Sequence, residues 1–117
     1  MMIQPKTRRK LEKIIGEAIK REGVGVDLGF IDTSLITDMS YLFRDSPFNG
    51  DISQWNTSRV TNMSAMFWNS PFNGDIGRWN IRRVQSFEGM FNVCNYPFLL
   101  GTWSKQNQNI RPSIGLP

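Results

Sequence analysis

The sequence predicts an α/β repeat fold: a short solenoid of about three 24-residue repeats with an N-terminal capping helix. Three observations predict it. Phe48-Asn-Gly-Asp-Ile-Ser-Gln-Trp-Asn56 returns 24 residues later as Phe72-Asn-Gly-Asp-Ile-Gly-Arg-Trp-Asn80. Thr57-Ser-Arg-Val-Thr-Asn-Met-Ser-Ala-Met-Phe67 is anticipated by Thr33-Ser-Leu-Ile-Thr-Asp-Met-Ser-Tyr-Leu-Phe43. Apolar columns keep the same period: Leu28/Ile52/Ile76/Leu100, Ile31/Trp55/Trp79/Trp103, Ile36/Val60/Val84, Met39/Met63/Phe87, Leu42/Met66/Met90 and Phe43/Phe67/Phe91. One repeat cannot bury its apolar face alone, so large side chains in constant columns must stack on the repeats before and after.

Residues 7–22 read as an amphipathic helix, because Leu11, Ile14, Ile15, Ala18 and Ile19 form one apolar stripe among Lys, Arg and Glu. Thr7 is the expected N-cap and Gly23 and Gly25 the expected stop. The helix is expected to close the first repeat, with a membrane-surface or nucleic-acid role as the sharper alternative. Each repeat then has an extended segment (26–30, 50–54 and 74–78) with one inward aliphatic residue, expected to ladder in parallel with its copies. A short helical piece follows, since Met39, Leu42 and Phe43, like Met63, Met66 and Phe67, stand at i, i+3 and i+4. Ser-Pro-Phe-Asn-Gly-Asp at 46–51 and 70–75 returns the chain, with Asn-Gly suited to positive φ. The third copy decays after Ile81, and 104–117 reads as an irregular, partly mobile tail. The expected organisation is one structural domain: helix 1–25, repeats 26–103 and tail 104–117.

Composition removes several function classes. The chain has no His and one Cys, so neither a Ser-His-Asp centre nor a disulfide framework is available, and no metal site or cofactor is expected. No apolar run approaches the roughly 20 residues of a membrane span. No apolar segment follows the basic N-terminus, so a cytoplasmic location is expected. The net charge of +4 sits at the ends: residues 1–22 hold seven Lys/Arg against three Glu, whereas 27–98 hold five Arg against seven acids. A slightly acidic body is a poor cradle for nucleic acid.

Asp27-Leu-Gly-Phe-Ile-Asp-Thr-Ser-Leu-Ile-Thr-Asp-Met-Ser-Tyr-Leu-Phe43 and Asp51-Ile-Ser-Gln-Trp-Asn-Thr-Ser-Arg-Val-Thr-Asn-Met-Ser-Ala-Met-Phe67 closely resemble the BspA-like bacterial surface protein repeat, DUF285. The resemblance covers about residues 26–103. It implies a leucine-rich-repeat-like solenoid and a role in binding proteins or host surfaces. Relatives are usually long, exported proteins with many repeats. A charged N-terminal helix and about three repeats depart from that, and fit better a small intracellular binder carried by a phage or mobile element.

The Asp27/Asp51/Asp75 column reads as side chains bonding their own backbone rather than as a calcium site, since the acids come one per repeat. Cys94 reads as a buried, inert thiol. Variable columns are where a repeat protein keeps its binding chemistry. Trp68 follows Phe67 where the other repeats carry Arg44 and Asn92, and an exposed Trp near Arg has the composition of an interface hot spot. Arg59, Arg78, Arg82 and Arg83 cluster in adjacent repeats, either facing an acidic partner or forming an ordinary solvated face. The candidate partner-binding residues are therefore Trp68, Arg44, Arg59, Arg78, Arg82 and Arg83. The expected function is a non-catalytic protein-binding module, a small inhibitor or adaptor for another protein. The alternatives are nucleic-acid binding through the basic helix and the Arg cluster, and a surface adhesion repeat.

Overall fold

A computed structural model describes residues 2–97 and 100–116, with Leu100 described by its backbone alone. The Leu100 position in the first apolar column thus lies outside the described side chains. Helix α1, Arg8–Glu22, forms as its stripe requires. Thr7 Oγ1 accepts from the Lys10 amide at 3.1 Å, and Gly23, at φ 95°, donates its amide to the Ile19 carbonyl. Leu11, Ile15 and Ala18 are buried, and the Arg8 guanidinium reaches the Ser40 carbonyl at 2.5 Å, so the helix covers the first coil of the chain.

Beyond α1 the backbone is not the α/β leucine-rich-repeat-like solenoid that the pattern predicts. Among the described residues there is no strand and no sheet; parallel pairing is limited to isolated bridges at Ile3–Ile31, Asp38–Asn62 and Asn62–Ser86. The segments read as strands run into turns, and the pieces read as helical are turns as well. A short helix α2, Leu100–Ser104, and a single 3-10 turn, Pro112–Ile114, complete the elements.

The reason lies in where alternate amides point. In the Met39–Ser46 run the amides of Leu42, Arg44 and Ser46 close i→i+3 turns on Met39, Tyr41 and Phe43. The intervening amides of Met39, Tyr41, Phe43 and Asp45 donate outward, to the carbonyls of Asn62, Ser64, Met66 and Trp68, all at 2.9 Å. Met63, Ala65, Phe67 and Asn69 repeat this toward Ser86, Glu88, Met90 and Asn92. A helix uses every amide internally, and an extended strand closes no turns of its own. Here the two uses alternate, which requires left-handed residues at Tyr41, Asp45, Ala65, Asn69 and Val93.

Side chains fix the remaining corners. Asp27, Asp51 and Asp75 accept from the amides of Gly29, Ser53 and Gly77 at 2.8–2.9 Å. Asp32, Asn56 and Asn80 do the same for Ser34, Ser58 and Arg82 at 3.0–3.1 Å. These local bonds hold turns against strand or helix. Successive 24-residue coils therefore stack as turns on turns.

Three aromatic columns fill the interior. Phe43, Phe67 and Phe91 stack at 5.6 and 5.7 Å, Phe48, Phe72 and Tyr96 at 6.2 and 6.0 Å, and Trp55, Trp79 and Trp103 at 6.4 Å each. Trp is needed in its column because each indole N–H reaches back one coil: Trp55 to the Leu28 carbonyl, Trp79 to Ile52 and Trp103 to Ile76, at 3.0–3.2 Å. Thr33 and Thr57, both buried, donate forward to the carbonyls of Asn56 and Asn80.

The third copy carries Ile81 in the column of Thr33 and Thr57, and so has no hydroxyl to donate forward. The tail takes the place of a fourth coil. Asn107 donates to the carbonyls of Ile81 and Val84, the side-chain carbonyl of Gln106 accepts from the Ile81 amide, and the carbonyls of Ser113 and Ile114 accept from Gly89 and Phe91. Both Asn107 and Ile114 are buried. The irregular tail thus closes one end of the stack as α1 closes the other.

Candidate functional site

The stacking columns leave two groups of candidate residues on the surface. Trp68 sits one position beyond buried Phe67, on the turn whose amide bonds to the Ala65 carbonyl. It is half-buried, because its six-membered ring lies over Gly89 of the next coil: a Cβ at Gly89 would stand 2.7 Å from Trp68 Cζ3. Gly89 is also left-handed, at φ 65°, so glycine serves two needs there. On the other side, the Arg44 guanidinium lies 5.8 Å from the Trp68 ring centre and 5.5 Å from that of exposed Tyr41. A cation over two aromatic faces is attracted by both. Arg44 also pairs with Asp45 at 3.6 Å, and Asp45 accepts from the Asn69 side chain at 2.8 Å, which ties neighbouring coils together beside the ring. The indole N–H of Trp68 has no partner among the described residues.

The second group is made by the second corner of two coils. The turns at Asn56 and Asn80 place Ser58, Arg59, Asn80, Arg82 and Arg83 around one cavity of about 340 Å³. Arg78 is exposed but does not line it. The sequence cluster of four Arg is therefore three and one. No hydrogen bond, ion pair or ring contact joins the cavity to the Trp68 group among the described residues.

Sequence reasoning missed the Ser58 and Asn80 lining of this cavity, for which the signal was the Asn column that fixes the corner. It also missed Val93, 74 % exposed beyond the third coil's Phe91. Val93 is an apolar residue in a column otherwise filled by Asp45 and Asn69, and that mismatch was the available signal.

The other candidates are used internally. In Asp51, bonds from the Ser53 hydroxyl and then its amide hold the carboxyl below its ordinary value. Cys94 is buried, its thiol pushed up by burial and aimed at the Phe72 carbonyl, so the nucleophilic thiolate is disfavoured. Burial likewise pushes the Tyr96 phenol up to about 12, and its hydroxyl donates to the Gly74 carbonyl. No described helix is long and apolar enough to cross a membrane.

Residues 11–111 match the model of the family described as "Mycoplasma protein of unknown function, DUF285". No curated protein and no solved structure matches the chain.

Proposed function

The chain belongs to the DUF285 family, and we propose that it is a non-catalytic protein-binding module, a small adaptor or inhibitor whose contact platform is Tyr41, Arg44 and Trp68. The observation that carries this is the place of Trp68. The other three Trp residues are buried in one column and spend their N–H groups on the preceding coil. Trp68 instead is only partly buried, its N–H has no partner among the described residues, and it is held in place by Gly89 beneath and Arg44 beside it. Rigid aromatic and Arg anchors lose little entropy on binding and dominate interface energies.

Trp68→Ala is expected to weaken partner binding by about 2 kcal/mol or more, while costing only about 1 kcal/mol of stability, since Trp68 lies at the surface outside the stacked columns. Affinity capture from host lysate with wild-type and Trp68→Ala protein, quantified by mass spectrometry, checks it alongside thermal melts. A protein retained by the wild type and lost with a folded Trp68→Ala variant is the expected outcome. An identical retained set removes this platform.

A nucleic-acid reading has one observation behind it: Arg9, Lys10 and Lys13 line a cavity on the exposed side of α1. Titration against DNA and RNA at increasing salt separates the readings, because phosphate-backbone binding falls steeply with ionic strength.

A further inference from the structure

We propose that the cavity between Arg59, Arg82 and Arg83 binds the phosphate of a phosphorylated side chain on a protein partner. The inference rests on the protein-binding reading, and adds to it a second contact of defined chemistry.

Three Arg residues line one cavity with Ser58 and Asn80, and no Asp or Glu is among its lining residues. Among the described residues none of the three Arg makes an ion pair or a side-chain hydrogen bond, whereas Arg8, Arg21 and Arg44 each pair with an acid. The charge is therefore uncompensated. Asn80 spends its side-chain oxygen on the Arg82 amide, which leaves its NH2 group as a further donor. A site composed of donors and positive charge, with no acceptor carboxylate, selects an oxyanion. A phosphate monoester, with close to two negative charges and three acceptor oxygens, answers three guanidiniums better than a single carboxylate does.

The surroundings favour a single compact dianion over a nucleic-acid strand. The site spans two adjacent coils, and the corresponding position of the first coil is Leu35, so the positive column stops there. The body from 27 to 98 carries seven acids against five Arg, which opposes a polyanion lying along the coils.

Two-dimensional NMR of the arginine Nε–Hε groups, titrated with O-phospho-L-serine, tests this. The expected result is saturable shifts at Arg59, Arg82 and Arg83 and not at Arg78. Acetate should bind more weakly, and Arg59→Gln or Arg82→Gln should weaken binding roughly tenfold or more, whereas Arg78→Gln leaves it unchanged. These are exposed positions, so the variants fold. Equal, unsaturable shifts at every guanidinium would overturn the pocket, as would tighter binding of a short oligothymidine than of a phosphoserine peptide. Loss of partner capture in Trp68→Ala without any phosphoserine response sinks the pocket and leaves the Trp68 platform standing. A saturable response confined to the cavity supports the pocket whatever Trp68→Ala does.

Discussion

Trp79→Ala is expected to leave little or no folded protein at room temperature. Trp79 is buried between Trp55 and Trp103, 6.4 Å from each ring centre. Its removal opens a void bounded by two coils that the backbone ladder holds at fixed spacing, so collapse cannot fill it. Such truncations cost about 3–5 kcal/mol. The Ile52 carbonyl loses its indole donor in the same step, which adds roughly 1–3 kcal/mol where no water reaches it. Whole domains of this size have only about 5–15 kcal/mol. Urea denaturation followed by circular dichroism measures the loss. A Trp79→Ala protein that melts with the wild type would mean that the column carries no stability.

The second large effect concerns a residue with no side chain. Gly50→Ala is expected to destabilise by about 3 kcal/mol and Gly74→Ala by about 1 kcal/mol, although both sit in the same Phe-Asn-Gly-Asp sequence. Neither glycine is left-handed; the constraint is space. A Cβ on Gly50 would stand 1.9 Å from the Val26 carbonyl oxygen, a backbone atom that cannot turn aside. At Gly74 the nearest obstacles are the Phe72 ring at 2.9 Å and the Gly50 carbonyl at 3.5 Å, and a ring can move by a few tenths of an ångström. Chemical denaturation of the two variants in parallel checks the order. Equal losses would show that the approach of 26 to 50 is not the limiting contact.

The same pair shows what the sequence can and cannot disclose. Asn-Gly reads as a positive-φ turn, yet the left-handed residues are elsewhere, at Tyr41, Asp45, Ala65, Asn69 and Val93. These positions keep the 24-residue period, as 41/65/89 and 45/69/93, but only Gly89 among them is glycine and the other side chains vary, so residue type does not mark them. Met39, Leu42 and Phe43 therefore read as one face of a helix, while the backbone between them reverses hand and sends alternate amides to the next coil. The strands failed for a related reason: Asp27, Asp51 and Asp75, correctly read as bonding their own backbone, do so in turns that leave no room for an extended ladder. What was legible is what depends on side-chain chemistry alone. The period, the buried columns, and helix α1 with its Thr7 cap and Gly23 stop all follow from residue type and spacing.

The candidate site divides in the same way. Trp68 stood out because it follows a buried Phe in a column that otherwise holds Arg and Asn, and Arg44 proves to be its neighbour. The pattern groups Arg78 with Arg59, Arg82 and Arg83 because all four lie in adjacent repeats. The turn at Asn80 separates them, placing Arg82 and Arg83 beside Arg59 of the preceding coil and leaving Arg78 outside their cavity.

The buried columns and both surface groups depend on coils that wall one another in. Hydrogen exchange at the four indole N–H groups addresses that directly, since the four Trp residues divide between the column and the surface. Trp55, Trp79 and Trp103 should exchange slowly, Trp79 only through global unfolding, while Trp68 exchanges within the dead time. If Trp79 exchanges as fast as Trp68, the coils are not stacked in this register.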